Sequence, residues 1–109
     1  MTVSQLVDAL SLKVLNLAEE DREIENGYCG DLLSYVMGRA KSGDAWVTIM
    51  TNVNVVAVAA LTDSACVILA EDSVPEEAVI QKAKQQGVNL LQSPLTAFEL
   101  CGKIAAMLA

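Results

Sequence analysis

The sequence predicts a single α/β domain of three layers, residues 1–109, with a mostly parallel sheet of about four to five strands flanked by helices. Short apolar runs rich in β-branched residues alternate with segments that have the spacing of amphipathic helices. Residues 45–69 read as strand, helix and strand, which is one βαβ unit. The length fits one compact domain, and no linker or repeat interrupts the chain.

The first third of the chain begins with a predicted helix and strand. Residues 2–10 place their apolar side chains on one helical face, with Thr2 or Ser4 as the cap. Residues 13–18 alternate as in a strand, and the acids of residues 19–23 form a charged connection. That acidic run permits a metal-binding interpretation or a solvated loop, and the absence of ligand spacing favours the loop.

A glycine-flanked segment is predicted next, between a short edge strand at residues 24–26 and a helix at residues 32–40. Gly27 and Gly30 bracket Tyr28 and Cys29 in a turn. Such a turn before a helix can hold a phosphate on its backbone amides, but a purely structural turn is the favoured interpretation. Asp31 is expected to cap the helix, which should bury the following side chains: Leu32, Leu33, Val36, Met37 and Ala40.

The central unit consists of a strand at residues 46–50, a helix at residues 53–61 and a strand at residues 66–69. Asn52 is expected to cap its helix. Both strands are continuous apolar runs, which is typical of strands buried on both faces.

The last third is predicted as helix, strand and helix. Pro75 suits a first helical position and Gly87 a helix end, before a strand at residues 88–91. Ser93 and Pro94 should start a helix at residues 95–108, with Glu99 paired to Lys103 outside. The expected inward face of this helix comprises Leu95, Phe98, Cys101, Ala105 and Leu108.

The composition excludes several function classes. The chain is 53% hydrophobic with 4% aromatic residues, so the core is aliphatic and some apolar surface should meet another copy, a homodimer being expected. The alternative is a closely packed Ala/Val-rich core. The net charge of −7 with no clustered cations argues against nucleic acid and anionic membranes. Polar residues interrupt the apolar run at residues 53–70, so no membrane span is predicted.

Histidine is absent, which rules out Ser-His-Asp and Cys-His catalysis, His-ligated zinc and a histidine proton shuttle. We therefore predict no catalytic residues, no cofactor and no metal site. The three cysteines form no CxxC motif, and an odd count favours free thiols in a reducing, cytoplasmic compartment.

Ligand-lining candidates follow from the topology, because ligands of open α/β sheets bind beyond the carboxyl ends of the strands. The residues in those positions are Tyr28, Cys29, Thr48, Asn52, Glu71, Asp72, Ser93 and Thr96. Cys29 also lies near a predicted helix start, where a thiolate is stabilised, although an inert small residue is the simpler interpretation. Cys66 and Cys101 lie in apolar runs and are expected in the core.

Two long segments resemble a known family. Residues 66–104, CVILAEDSVPEEAVIQKAKQQGVNLLQSPLTAFELCGKI, are similar to DRTGG domains and to the N-terminal domain of HPr kinase/phosphorylase. Residues 25–61, ENGYCGDLLSYVMGRAKSGDAWVTIMTNVNVVAVAAL, resemble a subgroup of stand-alone bacterial DRTGG-like proteins associated with hydrogenase gene neighbourhoods. Where DRTGG domains carry Asp-Arg and Thr-Gly-Gly, this chain has Asn52-Val53-Asn54 and Ala70-Glu71-Asp72.

The resemblance implies a regulatory or dimerising module, since DRTGG domains accompany nucleotide-sensing CBS domains and phosphotransacetylases. The kinase activity of HPr kinase belongs to a separate P-loop domain, and no GxxxxGK[ST] motif occurs here. The expected function is thus a non-catalytic, self-associating module with a possible unidentified protein partner. The alternative is a nucleotide or metabolite sensor with its pocket at the carboxyl ends of the strands.

Overall fold

Five strands and five helices make up the chain, which a computed structural model describes over residues 1–109. In chain order they are α1 (Val3–Leu10), β1 (Lys13–Asn16), β2 (Asn26–Cys29), α2 (Leu33–Arg39), β3 (Asp44–Thr48), α3 (Val53–Thr62), β4 (Cys66–Leu69), α4 (Glu77–Gln86), β5 (Leu90–Gln92) and α5 (Ala97–Leu108). The sheet order is β1-β5-β4-β3-β2, with β1 antiparallel to β5 and the other pairs parallel. The predicted α/β fold with a mostly parallel sheet is confirmed.

Each face of the sheet has its own apolar core. All residues of β3, β4 and β5 are buried, because successive side chains point to opposite faces and both faces carry helices. One face packs against α1 and α5 around Leu6, Ile68 and Leu100. The other packs against α2, α3 and α4, with Trp46 and Val56 fully buried.

Helix ends follow the predicted capping chemistry at several places. Thr2 and Gln5 form a capping box at the start of α1. The side chain of Asn52 accepts a hydrogen bond of 2.9 Å from the Asn54 amide at the start of α3. Gly87 ends α4 in the left-handed conformation, φ 68°. None of the helices combines the length and hydropathy that crossing a bilayer requires.

The prediction for α2 is wrong in its capping and in most of its buried face. Asp31 does not cap the helix; Leu32 occupies the cap position without a side-chain bond. Val36 is the buried residue of α2, whereas Leu32 and Met37 are 61% and 50% exposed. The helix lies at the end of its layer with α3 on one side, so much of its surface has no neighbour to pack against.

The start of α5 is displaced, and this changes its inward face. The helix begins at Ala97, and Thr96 caps it in a capping box with Glu99. Phe98 is 89% exposed while Leu100 and Ile104 are buried, because the predicted face was counted from Leu95, which lies before the helix.

Smaller differences concern charges and boundaries. The Glu99 carboxylate accepts hydrogen bonds from Thr96 and forms no ion pair with Lys103. Pro75 precedes the cap residue Glu76 and does not occupy the first helical position. The strands also shift: β1 ends at Asn16, β2 follows residues 24–25, and β5 begins at Leu90.

Candidate functional site

The larger of the two main cavities is a groove of about 440 Å³ between the edge strand β2 and the C-terminal half of α5. Nine of its twelve lining residues are hydrophobic, so the groove favours apolar contacts. Small residues on both walls create it: Gly27 and Ala45 on the strands, and Ala105 on the helix. Because these side chains are short, α5 packs on β2 without filling the space between them.

Tyr28 and Cys29 lie in β2 and not in a turn, which corrects the prediction for this segment. The glycines at positions 27 and 30 therefore do not form a phosphate-binding loop or the structural turn that was favoured. The Gly30 carbonyl instead accepts a hydrogen bond of 2.9 Å from the indole of Trp46. Cys29 is exposed and lines the groove.

Cys101 lines the same groove from α5 as Cys29 does from β2. Burial first, and then the neighbouring Cys29 thiol, raise the pKa of Cys101 to about 11. Both Cys66 and Cys101 were expected in the core, but Cys101 is only half-buried. Cys66 does lie in the core, and burial raises the pKa of its thiol to about 12. The two cysteines are far apart in sequence, so only the packing of α5 on β2 reveals the pair.

Most of the remaining candidates lie near the carboxyl ends of the strands, as predicted, and make local hydrogen bonds. The Thr48 hydroxyl donates to the Asp31 carboxylate at 2.8 Å, and the Ile49 amide donates to the same oxygen at 3.0 Å. Ser93 accepts from the Leu95 amide at 3.1 Å. Asn52 and Thr96 cap α3 and α5, as described above. Neither of the two main cavities is lined by these candidates.

Glu71 and Asp72 form a turn directly after β4. Both have φ 57°, the left-handed region, and the Ser73 amide donates to the Ala70 carbonyl at 3.1 Å to close the turn. Both side chains are exposed. No Lys or Arg occurs between residues 42 and 81, so this part of the surface is acidic and unsuited to a bare phosphate group.

A second cavity of about 120 Å³ is polar and lies beside Arg22 and Asp63. The guanidinium of Arg22 donates to both carboxylate oxygens of Asp63 at 3.0 and 2.9 Å, and Ser42 donates to the same carboxylate. These hydrogen bonds lower the pKa of Asp63 from 3.8 to about 2. They fasten the β1–β2 connection to the end of α3. The structure brings no three metal-ligating side chains of His, Cys, Asp or Glu together.

The surface beside the groove is apolar and electrically balanced. We name it the β2 flank: residues 25–41, which contain β2 and α2, together with residues 104–108 of α5. Large apolar side chains are exposed on it, namely Leu32, Tyr35, Met37 and Met107. Residues 25–41 contain two acids, Glu25 and Asp31, and two bases, Arg39 and Lys41. The net charge of −7 therefore arises from the rest of the chain.

Comparison with known proteins identifies a similar fold. No model of a known family matches the chain, and no curated protein matches it significantly. A solved structure does: the CBS and DRTGG domains of the regulatory region of Clostridium perfringens pyrophosphatase, complexed with its activator diadenosine tetraphosphate. The TM-score is 0.71 at 14% identity, over 91% of this chain and 44% of that one.

Proposed function

We propose that this chain is a non-catalytic regulatory module with a DRTGG-like fold that associates with a second copy of itself through the β2 flank. The similarity to the regulatory region of a pyrophosphatase supports a regulatory role. The turn at Glu71 and Asp72 supports the DRTGG-like alignment, because its two positive φ angles suit the Gly-Gly pair for which the family is named.

The charge balance of the β2 flank is the observation that carries self-association. Two copies of an acidic protein repel each other over most surfaces. The flank offers equal numbers of acids and bases next to exposed apolar side chains, so two copies can meet there with little repulsion. The apolar groove adds surface that a partner side chain can fill.

The strand geometry supports the same surface. β2 pairs with β3 on one side only, over residues Asn26–Cys29, and contains no charged residue. An unpaired edge without charges or bulges is a ready template for another strand. Two β2 strands related by a two-fold axis would therefore pair antiparallel and join the two sheets.

Sedimentation velocity at micromolar concentrations tests the proposal. The wild type should sediment at twice the chain mass of 11.6 kDa. A double variant, Tyr35→Glu with Met37→Glu, places two charges on the flank at positions that are 53% and 50% exposed, and it should be a monomer.

The matched control is Leu61→Glu with Val74→Glu, which changes two equally apolar residues that are 70% and 74% exposed and lie outside the flank. It should remain a dimer. A monomeric wild type, or a flank variant that dimerises as well as the control, would refute the proposal. Circular dichroism confirms that both variants are folded.

We also propose, as the second function, a small-molecule sensor with a pocket at the carboxyl ends of the strands. The nucleotide activator of the similar structure favours it. The acidic residues there suit an amine, a metal-bound nucleotide or a neutral metabolite. Thermal-shift measurements with diadenosine tetraphosphate and ATP, each with and without Mg²⁺, test it, since a ligand of the native state raises the melting temperature. No shift at millimolar ligand contradicts it.

A further inference from the structure

We propose that Cys29 and Cys101 are a reversible thiol–disulfide pair that ties the edge strand β2 to α5 across the groove. Both residues line the groove, one from the strand and one from the helix, and their thiols are neighbours. Neither is in the core: Cys29 is exposed and Cys101 is half-buried. The cavity that they share leaves room for a small thiol reagent to enter beside them.

The two sulfurs have different roles, because their environments differ. Exposed Cys29 is the sulfur that a reagent reaches first. Because the pKa of Cys101 is raised to about 11, its thiol is still protonated when Cys29 reacts. Cys101 therefore acts as the resolving thiol, in the second step. Cys66 is fully buried, with a pKa of about 12, and remains reduced.

The chemistry needs a low-molecular-weight disulfide as oxidant, for which we use oxidised glutathione. The Cys29 thiolate attacks one sulfur of that disulfide, which forms a mixed disulfide and releases one glutathione thiolate. Cys101 then loses its proton to solvent and attacks the Sγ atom of Cys29. The second glutathione leaves as a thiolate, so two protein thiols are oxidised and one small disulfide is reduced to two thiols.

A disulfide between Cys29 and Cys101 would change the shape of the groove. It would close the groove between β2 and α5 and fix the width of the β2 flank. The reaction itself requires only one chain, so it does not depend on self-association. The crosslinked form should melt at a higher temperature, because the bond restricts the unfolded chain, and dithiothreitol should reverse the shift.

Treatment of the purified chain with oxidised glutathione tests the pair. The thiol titre in denaturant should fall from three to one, and the product should be lighter by two hydrogen atoms. Trypsin places the cysteines on three different peptides, with Cys29 in residues 23–39, Cys66 in 42–82 and Cys101 in 85–103. A disulfide that joins the first and third peptides within one chain is the expected result.

Two single variants check the order of events. Cys101→Ser should stop at the mixed disulfide and keep one glutathione on Cys29. Cys29→Ser should give no internal bond. Three results would overturn the proposal: an unchanged thiol titre, stable glutathione on Cys29 of the wild type, or a bond between two chains on a non-reducing gel.

The same treatment of the Tyr35→Glu, Met37→Glu double variant separates this proposal from self-association. The internal bond should form to the same extent in the variant and in the wild type. If the wild type forms the internal bond but sediments as a monomer, the thiol pair is supported and self-association is refuted. Association without bond formation gives the reverse conclusion.

Discussion

The two edges of the sheet differ in how well they are protected against pairing with a further strand. At one edge, β1 runs antiparallel to β5, contains Lys13, and has an irregular register between Val14 and Asn16. The side-chain amide of Asn16 also donates to the Val88 carbonyl at 2.8 Å. At the other edge, β2 pairs with β3 in an unbroken parallel register and contains no charge.

The difference indicates which edge is available to a partner. A lysine and a bulge are features that discourage another strand from pairing. The β1 edge has them, and the connection that follows it is fastened to the sheet by hydrogen bonds. The β2 edge lacks them and borders an apolar groove. The sheet is thus closed to a further strand at β1, the closed side, and available to one at β2, the open side. Separate substitutions can destabilise each side.

The largest effect should come from Asn89, which fastens the connection after β1. Its side chain is 3% exposed and makes four hydrogen bonds: it accepts from the Ala18 and Glu19 amides and donates to the Glu19 and Ala65 carbonyls. Asn89→Asp keeps the shape but removes both donors and sets a carboxylate against two carbonyl oxygens. We expect a loss of about 3 kcal/mol in the free energy of unfolding.

Urea unfolding followed by the fluorescence of Trp46 measures this loss. Asn16→Asp is the matched control, because it removes one donor, to Val88, at the same edge. Its cost should be about 1 kcal/mol. Equal losses for the two variants would show that Asn89 has no special role in closing this edge.

Sequence patterns predicted the order of elements well and the contacts between them poorly. The apolar runs identified β3 and β4, which are buried on both faces, although β3 spans Asp44–Thr48 and the predicted strand residues 49–50 lie beyond its end. The caps at Thr2 and Asn52 depend on neighbours two or three residues away; Asn52 was predicted, and Thr2 is one of the two caps predicted for α1. Interactions between residues that are close in the sequence can therefore be predicted from the sequence alone.

Contacts over long sequence distances were not predictable. Asp31 was expected to cap α2 but bonds to the end of β3, because the neighbouring parallel strand offers a hydroxyl and an amide together. The sequence pattern places Asn89 in a strand, and nothing in that pattern shows that its side-chain amide reaches residues 18 and 19. The groove also depends on how α5 packs on β2, which no local pattern encodes.

A moderate effect is expected at the open edge, where Asp31 joins the start of α2 to the end of β3. Asp31→Ala removes the acceptor of the Thr48 hydroxyl and the Ile49 amide. Because the Thr48 side chain is buried, we expect a loss of about 1–2 kcal/mol in the urea experiment. Asp31→Asn retains an acceptor oxygen and should lose less unfolding free energy than Asp31→Ala. Equal losses for the two variants would attribute the effect to the charge of Asp31.

A smaller effect of opposite sign is expected away from both edges, in the turn at Glu71 and Asp72. Left-handed backbone costs a non-glycine residue roughly 1–2 kcal/mol, and glycine avoids this cost but has more entropy in the unfolded chain. Each of Glu71→Gly and Asp72→Gly should therefore stabilise the fold by about 0.5–1 kcal/mol. Glu71→Ala keeps the strained Cβ and should give no gain. Stabilisation by alanine would refute the backbone explanation.

The smallest effect is expected from the Arg22–Asp63 pair, which also holds the closed side of the chain. The pKa of Asp63 falls from 3.8 to about 2 because Arg22 and Ser42 donate hydrogen bonds to it, so the native state favours the carboxylate. This stabilisation is present above about pH 4 and is lost as the pH falls towards 2. Since Asp63 is largely exposed, the loss should stay below about 1 kcal/mol.

Asp63→Asn isolates this contribution, because asparagine tolerates the positive φ of 55° at the end of α3 but does not ionise. Urea midpoints at several values between pH 4 and pH 2 should fall less steeply for the variant than for the wild type. Added salt should reduce the difference, since the pair is exposed. Identical slopes at low salt would mean that the Arg22–Asp63 pair does not contribute to the stability of the closed side.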